Sequence, residues 1–143
     1  SEKILPYSEI SDEDTLNIML QNMLQDLNLN EYCIRELHEY VMILPSEYYE
    51  SGSYDKWIRV GFALKNASTQ FQGSGKSDNR FFLTFLKFSS QSSEFSYSSV
   101  SELWSMWNKF NKKDNGLTKK SIIYWAKEDA NYHDYKRVKD DSV

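Results

Sequence analysis

Residues 80–88 read RFFLTFLKF. Phe81, Phe82, Leu83, Phe85, Leu86 and Phe88 leave only Thr84 and Lys87 to interrupt the apolar run. A segment apolar on nearly every side is buried all round, either as a core helix or as a central strand, and periodicity does not separate the two. The fold class turns on that choice, and the neighbouring segments decide it.

Upstream, SYDKWIRVGFALKN (53–66) carries Trp57, Val60, Gly61 and Leu64 on one helical stripe, with Ser53 placed to cap it. Gly61 inside a helix costs about 1 kcal/mol against Ala, so its presence predicts a close helix–helix approach. Downstream, a serine-rich linker SSQSSEFSYSS (89–99) precedes Val100, Leu103, Trp104, Trp107 and Phe110, again at helical spacing. Ser11-Asp12-Glu13-Asp14 is a helix start, with acids at the positive end of the dipole; Leu16, Met19, Leu20, Met23, Leu24 and Leu27 follow. A helix over about 30–44 bears Ile34, Leu37, Val41 and Leu44 and ends at Pro45-Ser46. Thr118 caps a last helix, TKKSIIYWAKED (118–129), and the polar tail from Asn131 is expected to fray or to lead into something else. No strand alternation persists and no internal repeat is visible. RFFLTFLKF is therefore read as a buried helix, and the chain as one all-α domain, a small bundle of about six helices.

Bulk properties agree. The 143 residues are enough for one core, and 40% apolar with 15% aromatic content excludes a disordered chain. No apolar run approaches the roughly 20 residues that cross a bilayer, and no signal peptide is visible, so a soluble, cytoplasmic protein is expected. A first residue of Ser rather than Met suits an excised or processed piece. Cys33 is the single cysteine, which precludes an internal disulfide; flanked by Tyr32 and Ile34, it is expected to pack. The net charge of −4 is unevenly spread. Residues 1–53 hold eleven acids and two bases, residues 54–143 ten acids and fifteen bases. Such asymmetry marks a nucleic-acid face, a docking face, or simply two solvated surfaces.

Several chemistries can be tested on the residues. GSGKS (73–77) imitates the end of a phosphate loop, G-x-x-x-x-G-K-[ST]. Position 70, where the first Gly belongs, is Gln70, and the preceding buried strand is replaced by a helical pattern. A plain polar loop accounts for it, with Lys76 and Arg80 available as simple charges to a phosphate. His38 and His133 lie far apart with no ligand cluster, so no metal site is expected. No catalytic set and no cofactor site emerge. The four tryptophans lie on apolar stripes and are expected in the core rather than against bases. The functional signal that remains is Lys109, Lys112, Lys113, Lys119 and Lys120 against one acid, Asp114, around the capped start of the last helix. Helix N-termini and lysines both favour phosphate; a solvated turn is the plain alternative.

Three blocks, YDKWIRVGFALKN (54–66), FLKFSSQSSEFSYSSVSELWSMW (85–107) and GLTKKSIIYWAKED (116–129), resemble the second type of primase C-terminal helical domain. That domain occurs in the primase-helicases of large DNA viruses of the poxvirus and mimivirus kind and in related phage and plasmid proteins. The matching residues are Tyr54, Asp55, Trp57, Ile58, Arg59, Val60, Gly61 and Leu64 in the first block, then Phe88, Ser89 and Trp104. Gly116, Leu117, Thr118, Tyr124, Trp125, Ala126 and Lys127 close the match. The chain departs from the pattern in a longer 66–80 connection and in Phe85, where the family often has Trp. The resemblance divides the chain into an N-terminal extension or linker (1–35), the family domain (36–137) and a polar tail (138–143). It implies a module between an archaeo-eukaryotic primase domain and a superfamily 3 helicase, acting at a viral replication site if the source is viral. It also implies that Arg59 and Lys127, polar among matched core positions, can face a partner. Two functions follow as expectations. One is a non-catalytic accessory domain that contacts single-stranded template DNA or nucleotide through Arg59, Lys76, Arg80, Lys109, Lys112, Lys113, Lys119 and Lys120. The other is a connector that docks the adjacent primase and helicase domains without binding DNA.

Overall fold

A computed structural model describes residues 6–68, 79–110 and 116–142. Within them run seven α-helices: α1 (Glu13–Gln25), α2 (Tyr32–Met42), α3 (Tyr54–Ser68), α4 (Arg80–Ser90), α5 (Val100–Lys109), α6 (Lys119–Asp129) and α7 (Tyr132–Asp141). Short 3-10 turns at Tyr7–Glu9, Leu29–Glu31, Ser46–Tyr48 and Tyr97–Ser99 join or precede them, and no strand occurs among the described residues.

RFFLTFLKF is a helix, and its all-round apolarity has a direct cause. Helix α4 is the central element and packs against α1, α2, α3 and α5. Phe81, Phe82, Leu83, Phe85, Leu86 and Phe88 are all buried. Two polar side chains on this helix are buried too, and both are satisfied. Thr84 Oγ1 shares a 2.9 Å hydrogen bond with His38 Nδ1 of α2. Ser89 Oγ accepts from Trp57 Nε1 at 2.8 Å and donates to the Phe85 carbonyl. Burying such groups unpaired would cost on the order of 1–3 kcal/mol each, so these bonds fix which faces of α2 and α3 meet α4.

Gly61 performs the role its position predicts. A Cβ built there would lie 2.9 Å from both Phe85 Cζ and Phe110 Cε2. Any larger residue there would force one or both of these rings to shift.

The N-terminal segment shares the core. Leu16, Leu20 and Met23 of α1 and Leu27 beyond it are buried, and α1 lies on α4. Tyr7 stacks on Phe82 with ring centroids 6.2 Å apart and meets Trp104 edge-on at 5.9 Å.

The chain differs from expectation after Asn131. The polar tail is a helix, α7, capped by Asn131, whose Oδ1 accepts from the amides of His133 and Asp134. It packs on α2 and α6, burying Val138 and stacking Tyr135 on Tyr40 at 5.7 Å. One buried valine and one half-buried tyrosine suffice to dock it, too few apolar positions to register as a stripe.

The charge asymmetry is partly resolved inside the fold. Lys56 pairs with Glu47 (2.9 Å), Arg80 with Glu31 (2.6 Å) and Lys87 with Glu13 (3.5 Å). Each bridge joins a base of the second half to an acid of the first. The two halves are thus in part each other's counterions.

Candidate nucleic-acid interface

One end of the bundle gathers four helix ends. Asn66, in the last turn of α3, donates through Nδ2 to the Leu117 carbonyl at 2.6 Å, just ahead of α6. Phe62, one turn earlier on α3, meets Phe110 at the end of α5 with centroids 4.8 Å apart. Trp107 of α5 donates to Asn79 Oδ1 at 3.3 Å, immediately before α4. The C-terminal ends of α3 and α5 and the N-terminal ends of α4 and α6 therefore converge. Lys65 lies there as well, only 7% exposed, its ammonium 4.9 Å from the Trp107 ring centroid. A cation in the last turn of α3 is favoured by the helix dipole and by the ring's negative face. Sequence reading had no means to single out Lys65, since its burial depends on Trp107 of α5, 42 residues away along the chain.

The start of α6 is built by local capping. Thr118 is extended, its Oγ1 accepts from the Lys120 amide at 3.2 Å, and its own amide donates to Ser121 Oγ at 3.1 Å. Gly116, with φ +65, supplies the left-handed residue that turns the chain into this cap. Lys119 is thereby held half-buried and Lys120 exposed in the first turn, and Lys109 is exposed at the end of α5.

The candidate residues separate by their partners. Arg80 is half-buried in its pair with Glu31, so it serves the fold before any ligand. Lys109, Lys119 and Lys120 are in no ion pair among the described residues, and neither are Arg59 and Lys127. Arg59 is exposed on α3 away from the converging helix ends, close enough for its charge to act on the Tyr48 hydroxyl. That hydroxyl donates to Asp129, the last residue of α6. Burial first, then the hydrogen bond and charge of Asp129, push the Tyr48 hydroxyl well above the usual phenol range. Arg59 thus lies by the C-terminal end of α6, while Lys119 and Lys120 stand at its N-terminal end. Lys76, Lys112 and Lys113 lie outside the described residues, as does the GSGKS stretch; the chain leading toward GSGKS is helix α3 through Ser68 rather than a strand.

The tryptophans are chiefly core. Trp107 is fully buried, and Trp57, Trp104 and Trp125 are half-buried against the core cluster. No group of three or more His, Cys, Asp or Glu side chains suited to a metal ion occurs among the described residues. No helix among them is long and apolar enough to cross a membrane.

The resemblance blocks meet in space. Trp57 bonds Ser89, Asn66 bonds Leu117, and Gly61 admits Phe85. No curated protein and no solved structure matches the chain. The family model described as Primase C terminal 2 (PriCT-2) matches residues 37–126, from the middle of α2 to the buried Ala126 of α6. That span covers well over half of the chain and contains Gly61, Ser89 and Leu117, where its helices meet, so the chain belongs to the Primase C terminal 2 (PriCT-2) family.

Proposed function

We propose that this chain is a non-catalytic helical accessory domain of a DNA-replication primase-helicase, of the kind found in large DNA viruses. In this reading it holds single-stranded template, or nucleotide, during primer synthesis. The observation that carries the reading is the convergence of Lys109, Lys119 and Lys120 at one end of the bundle with no carboxylate paired to them among the described residues. Elsewhere the same chain neutralises Lys56, Arg80 and Lys87 internally. Unpaired lysines beside a helix N-terminus form a positive field suited to phosphate.

The test is fluorescence anisotropy of labelled single-stranded DNA at low and moderate salt. A variant with Lys112, Lys113, Lys119 and Lys120 changed to Ala is run in parallel. Binding that weakens steeply with salt, through counterion release, and is lost in the variant is the expected result. Absence of binding at low salt by the folded protein overturns it.

A connector between primase and helicase domains is the second reading. It is favoured by Ile18, Leu29 and Tyr32, which expose 60%, 82% and 54% of their surfaces on the acidic N-terminal side. It predicts that Leu29→Ser weakens contact with a neighbouring domain of the full-length protein and leaves DNA binding unchanged.

A further inference from the structure

We infer that the outer face of α6 is a base-stacking platform, in which Tyr124 carries a base of single-stranded DNA and Lys120 and Lys127 hold the flanking phosphates. The inference deepens the DNA-contacting reading above and rests on it. Ile122 and Ala126 are buried and set the inward side of α6. At 100° per residue, Lys120, Tyr124 and Lys127 project from the opposite side, and all three are exposed. Neighbours at i+3 and i+4 lie about 5–6 Å apart at Cβ, so the ring sits between two ammonium groups along one line.

Tyr124 has no visible structural duty. It is 61% exposed and, among the described residues, its ring meets no other aromatic ring. Of the other exposed tyrosines, Tyr54 packs with Trp57 at 5.8 Å and Tyr132 with His133 at 6.0 Å, while Tyr32 shares with Tyr124 the lack of a ring contact among the described residues. On α6 itself, Trp125 reaches Tyr48, and Ile123 and Trp125 pack against the core. The adjacent positions hold the helix in place, which leaves Tyr124 rigidly mounted and uncovered.

The charges give the platform a direction. Lys119 and Lys120 occupy the first turn, where the helix dipole adds to their field. Glu128, exposed one turn beyond Tyr124, is the acid on this face. A backbone track is therefore expected to run from Tyr124 toward Lys120 and the converging helix ends, with Lys127 as its outer contact. Exposed aromatic faces interleaved with cations are how single strands are held without sequence readout.

The experiment compares an oligothymidylate with an abasic oligonucleotide of equal length, both fluorescently labelled, on the whole chain and three variants. Tyr124→Ala is expected to weaken oligothymidylate binding about ten-fold with an unchanged salt slope, and to leave abasic binding unaltered. Tyr124→Phe is expected to bind as the parent does. The double variant Lys120→Ala, Lys127→Ala is expected to flatten the slope of log K against log salt by about 1.4, roughly 0.7 for each phosphate contact on a single strand. If the parent binds and Tyr124→Ala binds equally well, the platform is refuted while the DNA-contacting reading stands. If the parent binds neither oligonucleotide at low salt, both fall. Circular dichroism of Tyr124→Ala, a change at an exposed position, guards against loss of fold.

Discussion

Gly61→Ala tests whether helix propensity or packing governs the centre of this domain. On an exposed helix the change would stabilise by about 1 kcal/mol, because Gly spends more backbone entropy than Ala on becoming helical. Here the new methyl carbon would lie 2.9 Å from Phe85 Cζ, 3.1 Å from Phe85 Cε1 and 2.9 Å from Phe110 Cε2. Ordinary carbon contacts are about 3.5–4.0 Å, so at least half an ångström must be recovered. Phe110 is half-buried at the end of α5 and can give way. Phe85 cannot: it is fully buried, stacked on Trp57 at 5.1 Å and flanked by Trp107 at 6.1 Å. Overpacking a fixed core costs about 1–3 kcal/mol, which outweighs the propensity gain. The expected net effect is a loss of up to about 2 kcal/mol, measured as a lower urea midpoint with an unchanged slope. In a Phe85→Leu background the penalty should shrink, because the contact that causes it is gone. A Gly61→Ala protein that is more stable than the parent would refute the reasoning and show that α3 and α4 do not meet at this point.

Two further outcomes follow from buried polar groups. His38 is held neutral, its pKa lowered to about 4 by burial first and then by the charges of Arg35 and Lys87. The unfolded chain binds this proton near pH 6.5, so the stability is intact above that value and is lost as pH falls from 6.5 toward 4. The loss approaches about 3 kcal/mol at the lower end. Urea denaturation at pH 7 and pH 4.5 reads the effect; a His38→Gln variant should lack this component, and an equal pH dependence in the two proteins would assign it elsewhere. Ser89→Ala removes the acceptor of the Trp57 indole N–H. It is expected to cost about 1–3 kcal/mol in the same assay, because that donor is left half-buried without its partner.

How far the chain reveals itself from sequence depends on the range of the interaction involved. The helices with apolar stripes, α1, α2, α3 and α5, are legible because burial of one face repeats every 3–4 residues. Helix α7 is not, since its ten residues dock through Val138 and Tyr135 and its remaining signals are the Asn131 cap and two ion pairs, Lys136–Asp140 at 3.1 Å and Arg137–Asp134 at 3.9 Å. Among the candidate site residues, sequence reading could gather the lysines around residue 118 because they are close along the chain. It could not see that Arg80 is committed to Glu31, nor that Tyr124 meets no ring among the described residues, because both facts depend on distant elements.

What the sequence determined by itself is the helices with apolar stripes, the place of the glycine at 61 and the cap at Thr118. These follow from local backbone preference and from apolar spacing, which act over one or two turns. Only the tertiary structure decided how the charges divide. Lys56, Arg80 and Lys87 meet acids 9, 49 and 74 residues away along the chain, whereas Lys109, Lys119 and Lys120 meet none among the described residues. An ion pair needs two groups within a few ångströms, and no local rule reports which distant helix end the fold will bring there.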